Sequence, residues 1–320
     1  MKSKRKLLVN LSLIFIALGL GIFVCEQIGR YLGLGNPIIY KTDPIVGYRL
    51  KELQSKKRFK GAKVSSDFEG FRYDHTKEIN SDTKYIIFVG DSVTYGGSYI
   101  DDKDLFSSRY CNLINNNFHC LNNGVNSWGI LNMGRFISNI DLYSKRNAEK
   151  FILVILPGDE ARNLRSIRDT PFWDGDPRQP SAIMEVVRFL TLEKFVPNLS
   201  KENKKNKENS KISRKEKDLN SIQRNLIWDE LETLIEKSIY PIDIVITPPM
   251  SWFIDKDERK EIEKYDNLLK NISRINAVNK TCNLYKFISS EYDKDIYHDG
   301  VHLSKKGHEL WAKKLKECLN

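Results

Sequence analysis

Residues 84–97 read KYIIFVGDSVTYGG. An apolar, β-branched and aromatic run that breaks at Gly90-Asp91-Ser92 predicts a buried parallel strand. Such a strand delivers its last residues to the carboxyl edge of a sheet, where ligands bind. Gly90 eases the backbone into a tight turn and Gly96-Gly97 leave room beside it, so the Ser92 hydroxyl is exposed near the amides that open the next helix. Ser92 is therefore a candidate nucleophile, with an ordinary strand-to-helix turn capped by Ser92 as the bland alternative.

Working outward from this strand, the spacing of apolar residues predicts a helix over 101–117, a strand over 118–123 and a helix over 131–143. It continues with strand 151–156 (FILVIL), helix 222–237, strand 242–247 (IDIVIT), a long charged helix over 256–275, a weak strand over 284–288 and a final helix over 304–319. Single buried strands alternating with helices predict an α/β fold. The expected architecture is a three-layer α/β/α sandwich around a mostly parallel, flavodoxin-like sheet of about five strands.

The alternation lapses between Asp159 and Ser221. PFWDGDPRQP follows the third strand closely, so Phe172 and Trp173 read either as a wall over the active edge, and hence as candidate substrate contacts, or as simple loop packing. The Lys/Asn/Glu-rich run at about residues 200–221 is poor in apolar residues and reads as a solvated insertion. Residues 26–83 carry Pro37, Pro44 and Gly47 and then FEGFRY at 68–73, a pattern of short β elements and turns. This juxtamembrane segment reads either as a small cap on the main body, 84–320, or as a stalk beneath it.

The N-terminus has a different character. Lys2, Lys4, Arg5 and Lys6 precede an uncharged run of 18 residues, Leu7 to Val24. That length is at the lower end of what crosses a bilayer, and the basic cluster ahead of it places the N-terminus in the cytoplasm and the body outside. No small-x-small site follows the run, which favours an uncleaved anchor over residues 1–25 rather than a signal peptide.

The formal charge of +10 does not point to nucleic acid, because the lysines are dispersed among Glu, Asp and Asn with no stripe of Arg and aromatics. The five cysteines fit no metal-ligand spacing, so no metal site is expected. In an exported body Cys111 with Cys120 and Cys282 with Cys318 are the sequence-local disulfide pairings, reduced core cysteines being the alternative.

YHDGVHLSKKG, residues 297–307, supplies what Ser92 lacks. A hydroxyl is a poor nucleophile until a base takes its proton, and that base needs a partner that fixes its tautomer. Asp299 lies three residues before His302 on a turn that precedes the last helix. Together these blocks resemble the SGNH, or GDSL-type, hydrolases over roughly residues 84–318. VGDSVTYGG resembles the first block, with Ser92 as nucleophile. Gly124 in NNGVNSWG resembles the glycine of the second, whose amide would donate to an oxyanion beside the amide of Ser92. D299-x-x-H302 resembles the last, giving Asp299 and His302 as the other triad members.

The third block departs from the pattern. LPGDEARN has Gly158 before Asp159 where the family usually has Asn, whose side-chain amide completes the oxyanion hole. Asn163, Arg162, the amides around Gly158, Asn123 and Asn126 are the groups available to replace it. Asp91 and Asp159 are candidate substrate-side carboxylates, with a turn role as the alternative for Asp159.

The resemblance implies carboxylic-ester chemistry through an acyl-serine, with no cofactor. Anchoring with the body outside points to a serine esterase that removes small acyl groups, acetyl above all, from envelope carbohydrate. O-acyl transfer to surface polysaccharide with a membrane acyltransferase partner, lipase activity, and a non-catalytic glycan-binding or assembly protein are the alternatives.

Overall fold

The computed structural model describes residues 2–114, 117–146, 148–162, 164, 174, 181–186, 221–255 and 258–319. Asn163, Phe172, Trp173 and nearly all of the insertion at about 200–221 lie outside the described residues.

Helix α1, Lys2–Tyr31, contains the stretch Lys6–Tyr31, whose most apolar 18 residues have a mean hydropathy of 2.6 and are not buried, while Gly29 near its end is buried against Ala182. This helix is long and apolar enough to cross a membrane. Two small antiparallel hairpins follow, β1 (Tyr40–Asp43) with β2 (Gly47–Leu50) and β3 (Ser55–Lys57) with β4 (Lys63–Ser65).

The main sheet has six strands in the order β10-β9-β8-β6-β7-β5. They are β5 (Arg72–Tyr73), β6 (Lys84–Gly90), β7 (Phe118–Gly124), β8 (Ala148–Ile155), β9 (Ile242–Ile246) and β10 (Val278–Asn283). β6 to β10 are parallel in the flavodoxin-like order, and β5 adds a short antiparallel strand to the β7 edge.

Alternation along each strand separates two cores. Ile87, Val89, Leu121, Phe151, Leu153, Ile244 and Ile246 face one side, with Met133 and Phe136 of α4 (Ile130–Ser138), Leu231 of α5 (Ser221–Ile235), Trp252 of α6 (Ser251–Ile254) and Tyr265 of α7 (Arg259–Ile272). Ile86, Phe88, Ile152, Val154 and Val245 face the other, with Phe106 and Tyr110 of α3 (Phe106–Ile114) and Trp311 and Leu315 of α9 (Lys305–Leu319). The sheet is thus the middle of three layers. The order of β6 and its neighbours reverses at β6, since β7 lies on one side of it and β8 on the other, so the end of β6 opens onto the crevice where such sheets bind ligands.

Two elements differ from expectation. Residues 284–288 are not a strand: Tyr285–Ile288 is the short helix α8, and the edge strand is the preceding VNKTCN. An edge strand half exposed to water needs few apolar residues, so its period-2 signal is weak. The 26–83 segment also contributes a strand to the sheet through β5, and its hairpin β1-β2 packs on the body. Trp128 Nε1 donates to Tyr48 O at 2.9 Å, and Asn132 Nδ2 donates to Val46 O at 2.9 Å.

Both disulfides form, Cys111–Cys120 with Cα atoms 5.8 Å apart and Cys282–Cys318 at 6.0 Å. Cys25 is a free, exposed thiol at the end of the apolar run.

Candidate active site

β6 ends at Gly90, and Asp91 caps the short helix α2, Ser92–Tyr95, by accepting the Val93 amide at 2.8 Å. The glycines around this turn are sterically required. A Cβ on Gly90 would lie 2.1 Å from Thr94 Oγ1, and one on Gly124 would lie 2.0 Å from the Tyr95 nitrogen. The first turn of α2 therefore sits directly over the ends of β6 and β7 and holds Ser92 at the sheet edge.

The C-terminal turn brings His302 to it. His302 Nε2 lies 2.8 Å from Ser92 Oγ, and His302 Nδ1 lies 2.7 Å from Asp299 Oδ2. The tautomer that satisfies both contacts carries its proton on Nδ1 and leaves Nε2 to accept from the serine. Asp299 Oδ1 also accepts the amides of Val301 at 2.9 Å and His302 at 2.8 Å. Partial burial pushes the Asp299 carboxyl upward. The His302 ring and the amides of His302 and Val301 outweigh it and hold the group well below the usual carboxylate range. Asp299 is therefore an anion throughout the neutral range, as the partner of a proton-accepting imidazole must be.

Tyr99, which the sequence did not single out, joins the two loops. Its hydroxyl donates to Leu303 O at 3.0 Å, next to His302, and its ring lies 4.2 Å from that of His298. Arg72, from β5, is fully buried beneath the loop that follows Ser92 and helix α2. It donates to the carbonyls of Tyr95 at 2.5 Å, Gly97 at 3.0 Å and Ile100 at 3.0 Å, and pairs with Asp102 at 2.9 Å. No motif announces either residue, because each acts across more than twenty positions of chain.

The other expected site residues are placed differently. The Gly124 amide donates to Asn122 Oδ1 at 2.8 Å, and the Gly158 amide donates to Glu160 Oε2 and Tyr265 Oη, both at 3.0 Å. Neither is open to an oxyanion in this arrangement. The Ser92 amide has no acceptor among the described residues.

Asp91 and Asp159, expected on the substrate side, are buried. Asp91 Oδ2 lies 3.5 Å from Ser92 Oγ and 3.1 Å from Arg162 Nη1, while Asp159 Oδ2 accepts the Leu156 amide at 3.0 Å. Both carboxylates thus hold backbone and Arg162 rather than facing a ligand. Burial, and then the nearby charge of Asp91, push the Asp159 carboxyl well above its usual range, with Arg162 opposing them. Among the described residues no cluster of His, Cys, Asp or Glu is arranged to hold a metal.

No protein-family model and no curated protein matches the sequence. Solved structures do resemble it in shape. A lipolytic protein of the G-D-S-L family from Veillonella parvula is 13% identical, with a TM-score of 0.44 over 73% of this chain and 97% of its own. A catalytic mutant of an acetylxylan esterase from Geobacillus stearothermophilus is 13% identical, with a TM-score of 0.45 over 76% and 96%. A carbohydrate acetylesterase from Sinorhizobium meliloti is 11% identical, with a TM-score of 0.43 over 74% and 98%.

Proposed function

We propose that this chain is an SGNH-type serine esterase, held in a membrane by α1 with its body outside, that removes acetyl or similarly small acyl groups from envelope carbohydrate. The observation that carries the reading is the unbroken relay from Ser92 Oγ through His302 to Asp299, at 2.8 and 2.7 Å. Ser92 Oγ attacks the ester carbonyl carbon while its proton passes to His302 Nε2. Asp299 holds the resulting imidazolium, and the Ser92 amide donates to the oxygen that becomes anionic. Collapse expels the sugar alcohol, which takes the proton from His302. Water then enters by the same route in reverse, and an acyl-serine is the intermediate between the two halves.

The location rests on three features. Lys2, Lys4, Arg5 and Lys6 precede the apolar run Leu7 to Val24, whose side chains are exposed. The body carries two disulfides, which persist in oxidising compartments. The chain bears ten more positive than negative charges, which suits acidic polymers or anionic headgroups.

The test uses the full chain in detergent with an acetylated oligosaccharide and counts both free acetate and acetylated acceptor. The esterase reading requires acetate release that disappears in Ser92→Ala. Acetyl appearing on an acceptor sugar instead of in water would assign the same residues to transfer, and neither product from folded protein would favour a non-catalytic binder.

A further inference from the structure

We infer that Arg162 supplies the oxyanion-stabilising donors of this site, in place of the side-chain amide that Gly158 lacks; the inference rests on the esterase reading above. A serine esterase needs more than one donor aimed at the developing oxyanion, because the charge appears within a region from which water is largely excluded. Here the Gly124 amide is occupied by Asn122 and the Gly158 amide by Glu160 and Tyr265, which leaves the Ser92 amide.

Arg162 stands beside the carboxylate that caps the nucleophile's helix. Its Nη1 lies 2.8 Å from Asp159 Oδ1, 3.1 Å from Asp91 Oδ2 and 2.9 Å from Trp128 O, so one corner of the guanidinium is fixed by two carboxylates and a carbonyl. Its backbone is equally confined. A Cβ at Gly129 would lie 2.7 Å from Arg162 O and 2.9 Å from its Cβ, so glycine at 129 is required for the arginine to sit there.

The remaining donors are the telling part. Nε and Nη2 have no acceptor among the described residues, and the side chain is 26% exposed. Asp91 Oδ2 touches both Arg162 Nη1 and, at 3.5 Å, Ser92 Oγ, so a single carboxylate oxygen separates the guanidinium from the nucleophile. Its Nη1 sits on the same carboxylate that caps the nucleophile's helix. A guanidinium fork is always charged and rigidly planar, which suits an anion that exists only in the transition state.

The competing account is that Arg162 merely neutralises Asp91 and Asp159. The double variant Asp159→Asn/Arg162→Gln, compared with Asp91→Asn/Arg162→Gln, separates the two, since each removes the guanidinium together with one of its two carboxylate partners and nearly preserves volume. Steady-state hydrolysis of an activated acetyl ester is measured with fluorophosphonate labelling of Ser92 and a thermal melt. The expected result is a melt close to wild type, kcat lower by about 100- to 1,000-fold and KM within about threefold. Arg162→Lys, which keeps the charge but not the fork, is expected to lose at least about tenfold in kcat.

A folded double variant within about tenfold of the wild-type kcat overturns the role of Arg162 and leaves the esterase reading standing. So does a comparable loss in Asn123→Ser, whose buried Nδ2 also lacks a partner among the described residues, if the Arg162 variants stay active. Wild-type protein with neither turnover nor labelling overturns the esterase reading itself, and the role of Arg162 with it.

Discussion

A carboxylate that accepts two backbone amides and an imidazole N–H is fixed in position before any substrate arrives, and Asp299 is bonded in this way. Asp299→Asn retains the shape but offers His302 the wrong hydrogen-bond partner, so the expected loss in kcat is about 10⁴-fold, read against an activated ester. Tyr99→Phe removes a single bond that ties the nucleophile loop to the base turn. Its expected cost is about 0.5–1.5 kcal/mol in barrier, or roughly a 2- to 13-fold lower kcat, with the melting temperature nearly unchanged. A kcat equal to wild type would mean that Tyr99 does not position His302.

At this scale the sequence was legible where a residue's role is set by its own type and local turn. Ser92 at a strand end and Asp299 three before His302 are of that kind. It was not legible for Gly124 and Gly158, because the use of an amide depends on side chains the motif does not include. Asn122 lies two residues from one, and Tyr265 approaches the other from a helix more than a hundred residues away.

At the scale of elements, the 26–83 segment is part of the body through Arg72. Its guanidinium and the Asp102 carboxylate are both buried, and burial raises the Asp102 carboxyl despite the arginine beside it. Arg72→Leu leaves that carboxylate unpaired and frees three carbonyls, so the expected destabilisation is about 3–5 kcal/mol in a denaturant melt. A stalk that merely lifted the body from a membrane would tolerate the change.

The strand missed near the C-terminus has a related explanation. VNKTCN is recognisable as β10 only through its neighbour β9 and through Cys282, which is tied to Cys318 at the end of α9. That bond joins the sheet edge to the helix that follows the catalytic turn. Cys282→Ala/Cys318→Ala is expected to cost about 2–4 kcal/mol by the chain-entropy estimate for a loop of this length. A stability indistinguishable from wild type would show that the pair adds nothing to the fold.

For the molecule as a whole, two buried histidines set the acid limit. Burial, with Arg72 assisting, lowers His308 to about 3, and burial with Lys77 and Arg146 lowers His119 to about 4. Both rings stay neutral in the native protein while the unfolded chain takes up protons near the ordinary value of 6.5. The unfolded state thus binds more protons between about 6.5 and these lowered values, so stability rises with pH through that window. It is fully present above about 6.5 and is lost as pH falls toward 3.

Melts at pH 7, 5.5 and 4.5 check this, and His308→Asn should flatten the dependence, because its Oδ1 can accept the Phe106 amide now held by Nδ1 at 3.0 Å. A wild-type curve that is level from pH 7 to 4.5 would contradict it. The three-layer architecture was legible at this scale because each central strand is apolar on both faces, and two separate cores follow from that.

The most direct measurement is intact-mass and peptide analysis of the full chain after a fluorophosphonate is added. One adduct per chain on Ser92, absent from His302→Ala under the same conditions, is the predicted result. Folded protein that takes up no adduct, or takes it up elsewhere with Ser92 untouched, would contradict a nucleophilic serine at this sheet edge.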